Sequence, residues 1–97
     1  MQIVFRPRAE ADVSDIWDYT VAAWGQQQAV DYLSALDRMI ASLTEFPEMA
    51  RVRDEFVPPV RIHPFRKHLI IYQTDGPILD IIRVLHSQSN WTQFLTE

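Results

Sequence analysis

Apolar residues in the first half of the chain recur at the three- and four-residue steps of one helix face. In residues 7–24 the repeating positions are Ala9, Val13, Ile16, Thr20 and Ala23. In residues 26–46 they are Ala29, Leu33, Leu36, Ile40 and Leu43. Pro7 suits a first helical turn, Gly25 interrupts the pattern, and Pro47 stops it. The spacing predicts an antiparallel hairpin of two helices whose apolar stripes pack into the core.

The remaining segments carry strand patterns. Residues 2–6 form a short β-like run, and three further runs occupy residues 60–64, 67–73 and 78–86. The sequence Thr74-Asp75-Gly76-Pro77 separates the last two runs and is a strong turn signal, because its residues favour tight backbone geometry. The second half of the chain therefore predicts a three-stranded antiparallel meander.

The connecting segments complete the predicted order of elements. Residues 47–59 predict a loop with some local order that is closed by two prolines, and residues 90–97 predict a short helix capped by Asn90 or Ser89. The order is β-α-α-β-β-β. It predicts an α+β fold in which the helical hairpin covers one face of a small antiparallel sheet.

Composition narrows the class of protein. Ninety-seven residues make a single domain, residues 1–97, and the absence of cysteine excludes disulfides and thiolate metal sites. The sequence shows neither a signal-peptide pattern nor an apolar run long enough to cross a bilayer, so we expect a cytoplasmic protein with no membrane partner. The formal net charge of −4 argues against direct nucleic-acid binding, which needs a basic surface.

Basic and aromatic residues gather in the predicted sheet. Residues 61–68 hold basic side chains and no acid, whereas residues 9–18 hold acids and no base. If the apolar pair Ile82 and Val84 meets the helices, strand alternation sends the odd-numbered residues of that strand to the other face. The residues then predicted to share the uncovered face are Arg61, His63, His68, Tyr72 and Arg83.

Three interpretations of that face stay open. Arginine, histidine and tyrosine supply the cation, base and acid that metal-free RNA cleavage requires. The same side chains suit recognition of an acidic peptide. In the simplest interpretation they are ordinary polar residues of an open sheet face, with Arg83 paired to Asp80 or Glu97. The histidines lack metal-ligand spacing and no phosphate-binding loop is present, so we expect neither a metal nor a cofactor.

Short motifs along nearly the whole chain resemble the RelE/ParE toxin superfamily. Those of the hairpin are Ala11-Asp12-Val13, Ile16-Trp17-Asp18-Tyr19 and Trp24-Gly25. Those of the meander are His68-Leu69-Ile70-Ile71-Tyr72 and Ile81-Ile82-Arg83-Val84-Leu85-His86. Within the superfamily, Trp24-Gly25 and the strand end at His86 followed by Asn90 are more similar to ParE than to RelE.

The ParE resemblance implies the toxin of a type II toxin–antitoxin system, acting without catalysis. Such a protein inhibits DNA gyrase and forms a hetero-oligomer with a ParD-like antitoxin that neutralises it. The residues expected to contact or shape the target are Arg83, His86, Asn90 and Trp91. The expected antitoxin anchors are Trp17, Tyr19 and Trp24. Many ParE-like chains carry an arginine in the segment after the strand-end histidine, where this chain has Ser87-Gln88-Ser89, a departure that predicts weak toxicity or a different target.

Two alternatives remain. RelE-type relatives cut messenger RNA in the ribosomal A site, and an enzyme of that kind is expected here to use Arg61, His68, Tyr72 and Arg83. The acidic composition is a poor match to the basic sites of such nucleases. The second alternative is a non-toxic remnant that only binds its antitoxin and adjusts transcription of its operon.

Overall fold

The computed structural model describes residues 1–95, and it confirms the predicted α+β fold with a helical hairpin packed on a sheet. Its helices are α1 (Pro7–Trp24), α2 (Gln26–Glu45) and α3 (Trp91–Leu95), with a 3-10 turn at Pro47–Met49. Its strands are β1 (Gln2–Phe5), β2 (Val52–Arg53), β3 (Val60–Phe65), β4 (His68–Asp75) and β5 (Ile78–His86).

The sheet has the strand order β1-β5-β4-β3-β2. Strands β3, β4 and β5 form the predicted antiparallel meander. In contrast to the expected antiparallel sheet, β1 runs parallel to β5, with Gln2 opposite Ile78. The long segment between these two strands, which includes the helical hairpin, provides the crossover connection that parallel neighbours need. Strand β2 lies within the predicted loop and adds a short edge to β3.

One residue both ends α1 and begins α2. Gly25 has a φ of 95°, its N–H donates to the Val21 carbonyl, and its own carbonyl accepts from the Ala29 N–H. A side chain at a positive φ of this size is strained, whereas glycine is not. The single-residue connection therefore fixes the tight antiparallel hairpin that the sequence pattern predicts.

A β-bulge in β5 changes which side chains face the helices. Ile71 lies opposite Arg83, but the next residue of β4, Tyr72, lies opposite Ile81, so Ile82 has no partner in β4. An extra residue of this kind reverses the inward and outward alternation beyond it. As a result Ile81 packs with the helices while Ile82 packs on the far face, which is the reverse of the predicted assignment for both residues.

Two apolar clusters lie on opposite faces of the sheet. The larger cluster joins the helical hairpin to the sheet, and its most buried members include Leu36, Ile40, Leu43, Ile70, Tyr72, Leu79 and Ile81. The smaller cluster contains Phe56, Val60, Ile71 and Leu85, with Trp91 and Leu95 of α3 packed against it. The far face is therefore not the open surface that the sequence analysis expected. The segment before β3 and the short helix α3 cover it.

Of the five polar residues predicted for the uncovered face, all except Arg83 lie on the helix-facing side instead. Tyr72 belongs to the larger cluster, and Arg61 lies opposite it across the β3–β4 ladder. His63 lies opposite Ile70 of the same cluster. Residues directly opposite each other in an antiparallel pair share a face. Arg83 lies opposite Ile71 of the smaller cluster, on the far face as predicted, so the five residues do not share one face. The prediction that the far face is uncovered is wrong.

We expect the Tyr72 hydroxyl to stabilise the connection between α2 and the sheet. This hydroxyl donates to the Pro47 carbonyl at 2.7 Å, and the ring is fully buried. Tyr72→Phe leaves that carbonyl without its donor, so the free energy of unfolding should fall by about 1–2 kcal/mol. Tyr19→Phe is the matched control, because the Tyr19 side chain is 70% exposed. Urea denaturation followed by circular dichroism measures both; equal stabilities would contradict a structural role for the bond.

Candidate functional site

A cleft of about 790 Å3 opens between the helical hairpin and the end of the meander. One wall comes from α1 and the start of α2, and the other from the β3–β4 turn and the last residues of β5. The floor includes Ile16, Thr20, Val84 and Leu85, all of which are buried. Residues that give the walls their polar and aromatic character are Asp15, Tyr19, Trp24, Tyr32, Arg66, Lys67, His68 and His86.

A row of three hydrogen-bonding rings lies at one end of the cleft. The Tyr32 hydroxyl is 2.6 Å from Nδ1 of His68, and the two ring centroids are 5.6 Å apart. His68 lies directly opposite His86 across the β4–β5 ladder, with 5.3 Å between their ring centroids. Nδ1 of His86 accepts from the backbone N–H of Gln88 at 3.1 Å. Because a backbone N–H can only donate, the neutral His86 ring carries its proton on Nε2.

The β3–β4 turn adds two positive charges beside these rings. Arg66 has a φ of 53°, an uncommon conformation for a residue with a side chain. Its guanidinium lies 5.4 Å from the Tyr32 ring centroid and 5.1 Å from that of Phe65, in cation–π geometry. Lys67 follows at the exposed tip of the turn. Within residues 1–95 neither Arg66 nor Lys67 forms an ion pair with a carboxylate.

Burial sets the protonation state of this cluster. Desolvation lowers the pKa of His68, and the neighbouring His86 lowers it further, while the carboxylate of Asp12 acts in the opposite direction. Burial also raises the pKa of Tyr32, although a hydrogen bond from the Lys67 backbone and the charge of Arg66 partly offset that effect. His68 is therefore neutral at pH 7 and Tyr32 keeps its hydroxyl proton.

The most constrained ion pair of the described residues joins α1 to β5 next to the cleft. Nε and Nη2 of Arg83 donate to the two carboxylate oxygens of Asp12 at 2.7 and 2.9 Å. The same carboxylate also accepts from the Val84 N–H at 3.0 Å. Both side chains are close to buried, at 13% and 11% exposure. The guanidinium also lies 4.9 Å from the Phe94 ring centroid.

The carboxylate that binds Arg83 in the structure is Asp12, whereas the sequence analysis named Asp80 or Glu97. Asp80 pairs with Arg6 instead, at 2.8 Å. Glu97, the other predicted partner, lies outside the described residues. Local sequence patterns do not indicate Asp12 as the partner, because it is separated from Arg83 by most of the chain.

The residues predicted to contact the target do not form one surface. Arg83 forms an ion pair with Asp12, and His86 lines the cleft. Asn90 is exposed immediately before α3. Trp91 packs with Phe56 on the far face, at 6.0 Å between ring centroids, so it also anchors α3 to the sheet.

Two of the three predicted antitoxin anchors lie on the cleft. Tyr19 and Trp24 line it and are 70% and 68% exposed. Trp17 is only partly exposed and does not line the cleft.

Three of the four predicted nuclease residues form bonds that hold the fold together. Nη1 of Arg61 donates to the Ala50 carbonyl at 2.6 Å, and the Tyr72 hydroxyl binds the Pro47 carbonyl. Arg83 is bound to Asp12, which leaves His68 as the member of the set that lines the cleft.

Sequence reasoning missed three residues of the cleft. Arg66 precedes the predicted strand of residues 67–73 and Lys67 begins it, whereas in the structure both belong to the turn between β3 and β4. Tyr32 precedes Leu33 of the predicted apolar helix stripe, and only the observed packing shows that its hydroxyl points to His68. Across residues 1–95 no group of three or more histidine, aspartate or glutamate side chains is arranged to hold a metal ion. No helix of that range is both long and apolar enough to span a membrane.

A helical hairpin on a five-stranded sheet is the architecture that the resemblance to the RelE/ParE superfamily implies. Residues 3–91 match the sequence profile of a family described as ParE toxin of type II toxin–antitoxin system, parDE. The chain therefore belongs to the ParE toxin family.

Individual relatives agree with this assignment. The chain is 36% identical over 83 residues to Toxin ParE1 of Caulobacter vibrioides, covering 86% of this chain and 85% of the relative. It is 35% identical over 83 residues to Toxin ParE1 of Mycobacterium tuberculosis, covering 84% of this chain and 85% of the relative. A solved structure titled as the chromosomal ParDE system from P. aeruginosa shares the fold, with a TM-score of 0.76, 20% identity, and coverage of 89% and 95%.

We expect Asp12→Asn to destabilise the protein by about 3 kcal/mol, because it removes the negative charge that two nitrogens of the nearly buried Arg83 guanidinium bind. The matched control is Asp80→Asn, which removes the partner of the half-exposed Arg6 and should cost less than about 1 kcal/mol. Urea denaturation gives both values. Similar losses in the two variants would contradict a special role for the Asp12–Arg83 pair.

Proposed function

We propose that this toxin acts by stoichiometric binding to DNA gyrase in the cytoplasm, without catalysis of its own, and that a ParD-like antitoxin neutralises it. The antitoxin would form a hetero-oligomer with the toxin by laying a segment in the cleft. The observation that carries the proposal is the contrast between a large open cleft and the commitment of the predicted catalytic side chains to bonds that hold the fold together.

The contacts of those side chains support a binding protein. Phosphate-ester cleavage without a metal needs a base, an acid and a cation around one phosphate. Here Arg61 and Tyr72 bind backbone carbonyls, and Arg83 is held by Asp12. Their polar atoms are used within the fold, so they are poorly placed to share one phosphate.

The shape of the cleft supports a peptide partner. Its floor is apolar and its rim carries two large aromatic side chains, Tyr19 and Trp24, that are mostly exposed to solvent. Aromatic residues that surround an apolar groove are typical anchors for an amphipathic helix or strand from a partner. The ParDE title of the structural neighbour fits an antitoxin as that partner.

Gyrase as the target follows from the ParE resemblance rather than from geometry. The alternative target is messenger RNA on the ribosome, and one observation favours it. His68 and Tyr32 lie beside Arg66 in the cleft, which brings together the three residue types that such cleavage uses. The non-toxic remnant differs from both, because it predicts no growth defect when the chain is expressed alone.

We expect the isolated toxin in molar excess to inhibit supercoiling of relaxed plasmid DNA by purified gyrase, and we expect added antitoxin to restore it. Asn90→Ala should weaken the inhibition, because Asn90 is exposed among the proposed target-contacting residues. Gln26→Ala changes an exposed amide outside that set and should inhibit as the parent does.

The same toxin is added to a translation extract, where cleavage of messenger RNA is followed by primer extension. Unimpaired supercoiling together with cleaved RNA would reject gyrase in favour of the nuclease. The absence of both effects would leave an antitoxin-binding remnant.

We expect Trp24→Ala to weaken binding of the antitoxin encoded beside the toxin gene by tenfold or more, since a large aromatic anchor is worth about 2 kcal/mol or more at an interface. Phe46→Ala is the matched control, because Phe46 is 62% exposed but does not line the cleft. Calorimetric titration of each variant gives the dissociation constants. Equal losses in the two variants would place the antitoxin elsewhere.

A further inference from the structure

The cleft has an uneven charge distribution that bears on the chemistry of its occupant. Arg66 and Lys67 stand beside His68 and His86 at the turn end, and within residues 1–95 the two cations lack a carboxylate partner. The protein as a whole has a net charge of −4, so this basic end is local. An apolar floor next to a few positive groups suits an amphipathic segment with acidic side chains better than it suits a phosphate backbone, which needs an extended basic track.

The hydrogen bonds at this end distinguish the two histidines. Nδ1 of His86 accepts from the Gln88 N–H, so this nitrogen is already used by a bond within the fold. His68 is different. Its Nδ1 faces the Tyr32 hydroxyl, which is able to donate to a neutral ring or accept from a charged one.

Protonation of His68 therefore changes the role of Tyr32. In the neutral state of His68 the hydroxyl donates to Nδ1 of that ring. In the charged state Nδ1–H donates to the same oxygen, and the hydroxyl proton becomes available to a second acceptor. A carboxylate at this end of the cleft would then meet Arg66, Lys67, a charged His68 and a free O–H donor.

We infer that the antitoxin segment in the cleft places a carboxylate against Arg66, Lys67 and His68, and that His68 takes up one proton when the complex forms. This inference rests on the proposed antitoxin binding and goes beyond it, because it names the chemistry of the contact and makes neutralisation depend on pH. The proton comes from solvent and leaves again when the complex dissociates.

The charged and titratable groups around His68 determine whether binding raises or lowers its pKa. In the free toxin, burial and the proximity of His86 keep the pKa of His68 below its usual value. Asp12 on α1 opposes them, but its carboxylate is already bound to Arg83 and Val84. A partner carboxylate adds a negative charge that is not bound to Arg83 or Val84, so it raises the pKa of His68 in the complex.

The consequence is a defined pH dependence. Because the complex binds more protons than the free toxin, affinity increases as the pH falls through the range between the two pKa values. One proton limits the gain to about tenfold for each pH unit. Above the pKa of the complex, and below that of the free toxin, the dissociation constant should not respond to this group.

The primary experiment is calorimetric titration of the toxin with the antitoxin encoded beside its gene, in phosphate and in Tris at pH 7. The dependence of the observed heat on buffer ionisation enthalpy gives the number of protons taken up, and we expect a value approaching one. His68→Gln should bind with that uptake abolished. His63→Gln is the matched control, because His63 does not line the cleft, and it should retain the uptake.

A second set of variants tests the carboxylate. Arg66→Gln should raise the dissociation constant at least fivefold, with the larger effect at low salt, since it removes one of the paired charges. Arg38→Gln removes an exposed arginine of α2 outside the cleft and should leave binding unchanged.

Proton uptake is also measurable without any substitution. The ring signals of histidine in isotopically labelled toxin give the pKa of His68 directly, and it should be higher in the complex than in the free protein. A complex that forms without uptake, or with uptake that His68→Gln retains, overturns the inference while leaving antitoxin binding intact. Absence of any complex rejects the proposed antitoxin binding itself. Binding of a single-stranded oligonucleotide that is lost in Arg66→Gln would overturn the inference in favour of a phosphate ligand.

Discussion

The bidentate bond between Asp12 and Arg83 is the interaction on which the arrangement of this protein depends. It joins the first turns of α1 to the middle of β5, and the same carboxylate also holds the backbone of Val84. A charge pair this close to buried stabilises only when its geometry satisfies both groups, and here each carboxylate oxygen has a donor. The pair fixes the distance between the hairpin and the sheet, and therefore the width of the cleft.

The bulge in β5 explains why Arg83 meets α1. If β5 alternated regularly through Ile82, Arg83 would lie on the same face as Ile81, toward the larger apolar cluster. The irregularity turns the strand at that point, so that the guanidinium meets Asp12 while Val84 rejoins the core. A departure from the regular strand pattern thus positions the main polar contact between the two layers.

The features that can be predicted from the sequence are those set by residues that are close together along the chain. The helices, the meander and their order follow from local periodicity and from Gly25 and Pro47, so they are predictable from short windows. The prediction of Tyr19 and Trp24 as antitoxin anchors follows instead from the ParE resemblance. The bulge, the parallel pairing of β1 and the bond from Tyr32 to His68 join residues that are distant in sequence. Periodicity contains no information about such contacts, and this is why Arg61, His63 and Tyr72 were assigned to the wrong face of the sheet.

The position of β5 in the sheet has a consequence for synthesis on the ribosome. This strand is made after the other four, yet it lies between β1 and β4, so β1 has no hydrogen-bonded neighbour until residues 78–86 emerge. The hairpin also lacks its anchoring arginine until then. Contacts between such distant segments form late, because the chain must first close a long loop. A nascent chain that stops before β5 therefore has neither the central sheet nor the cleft, and partial products of translation would be unable to act as the folded toxin does.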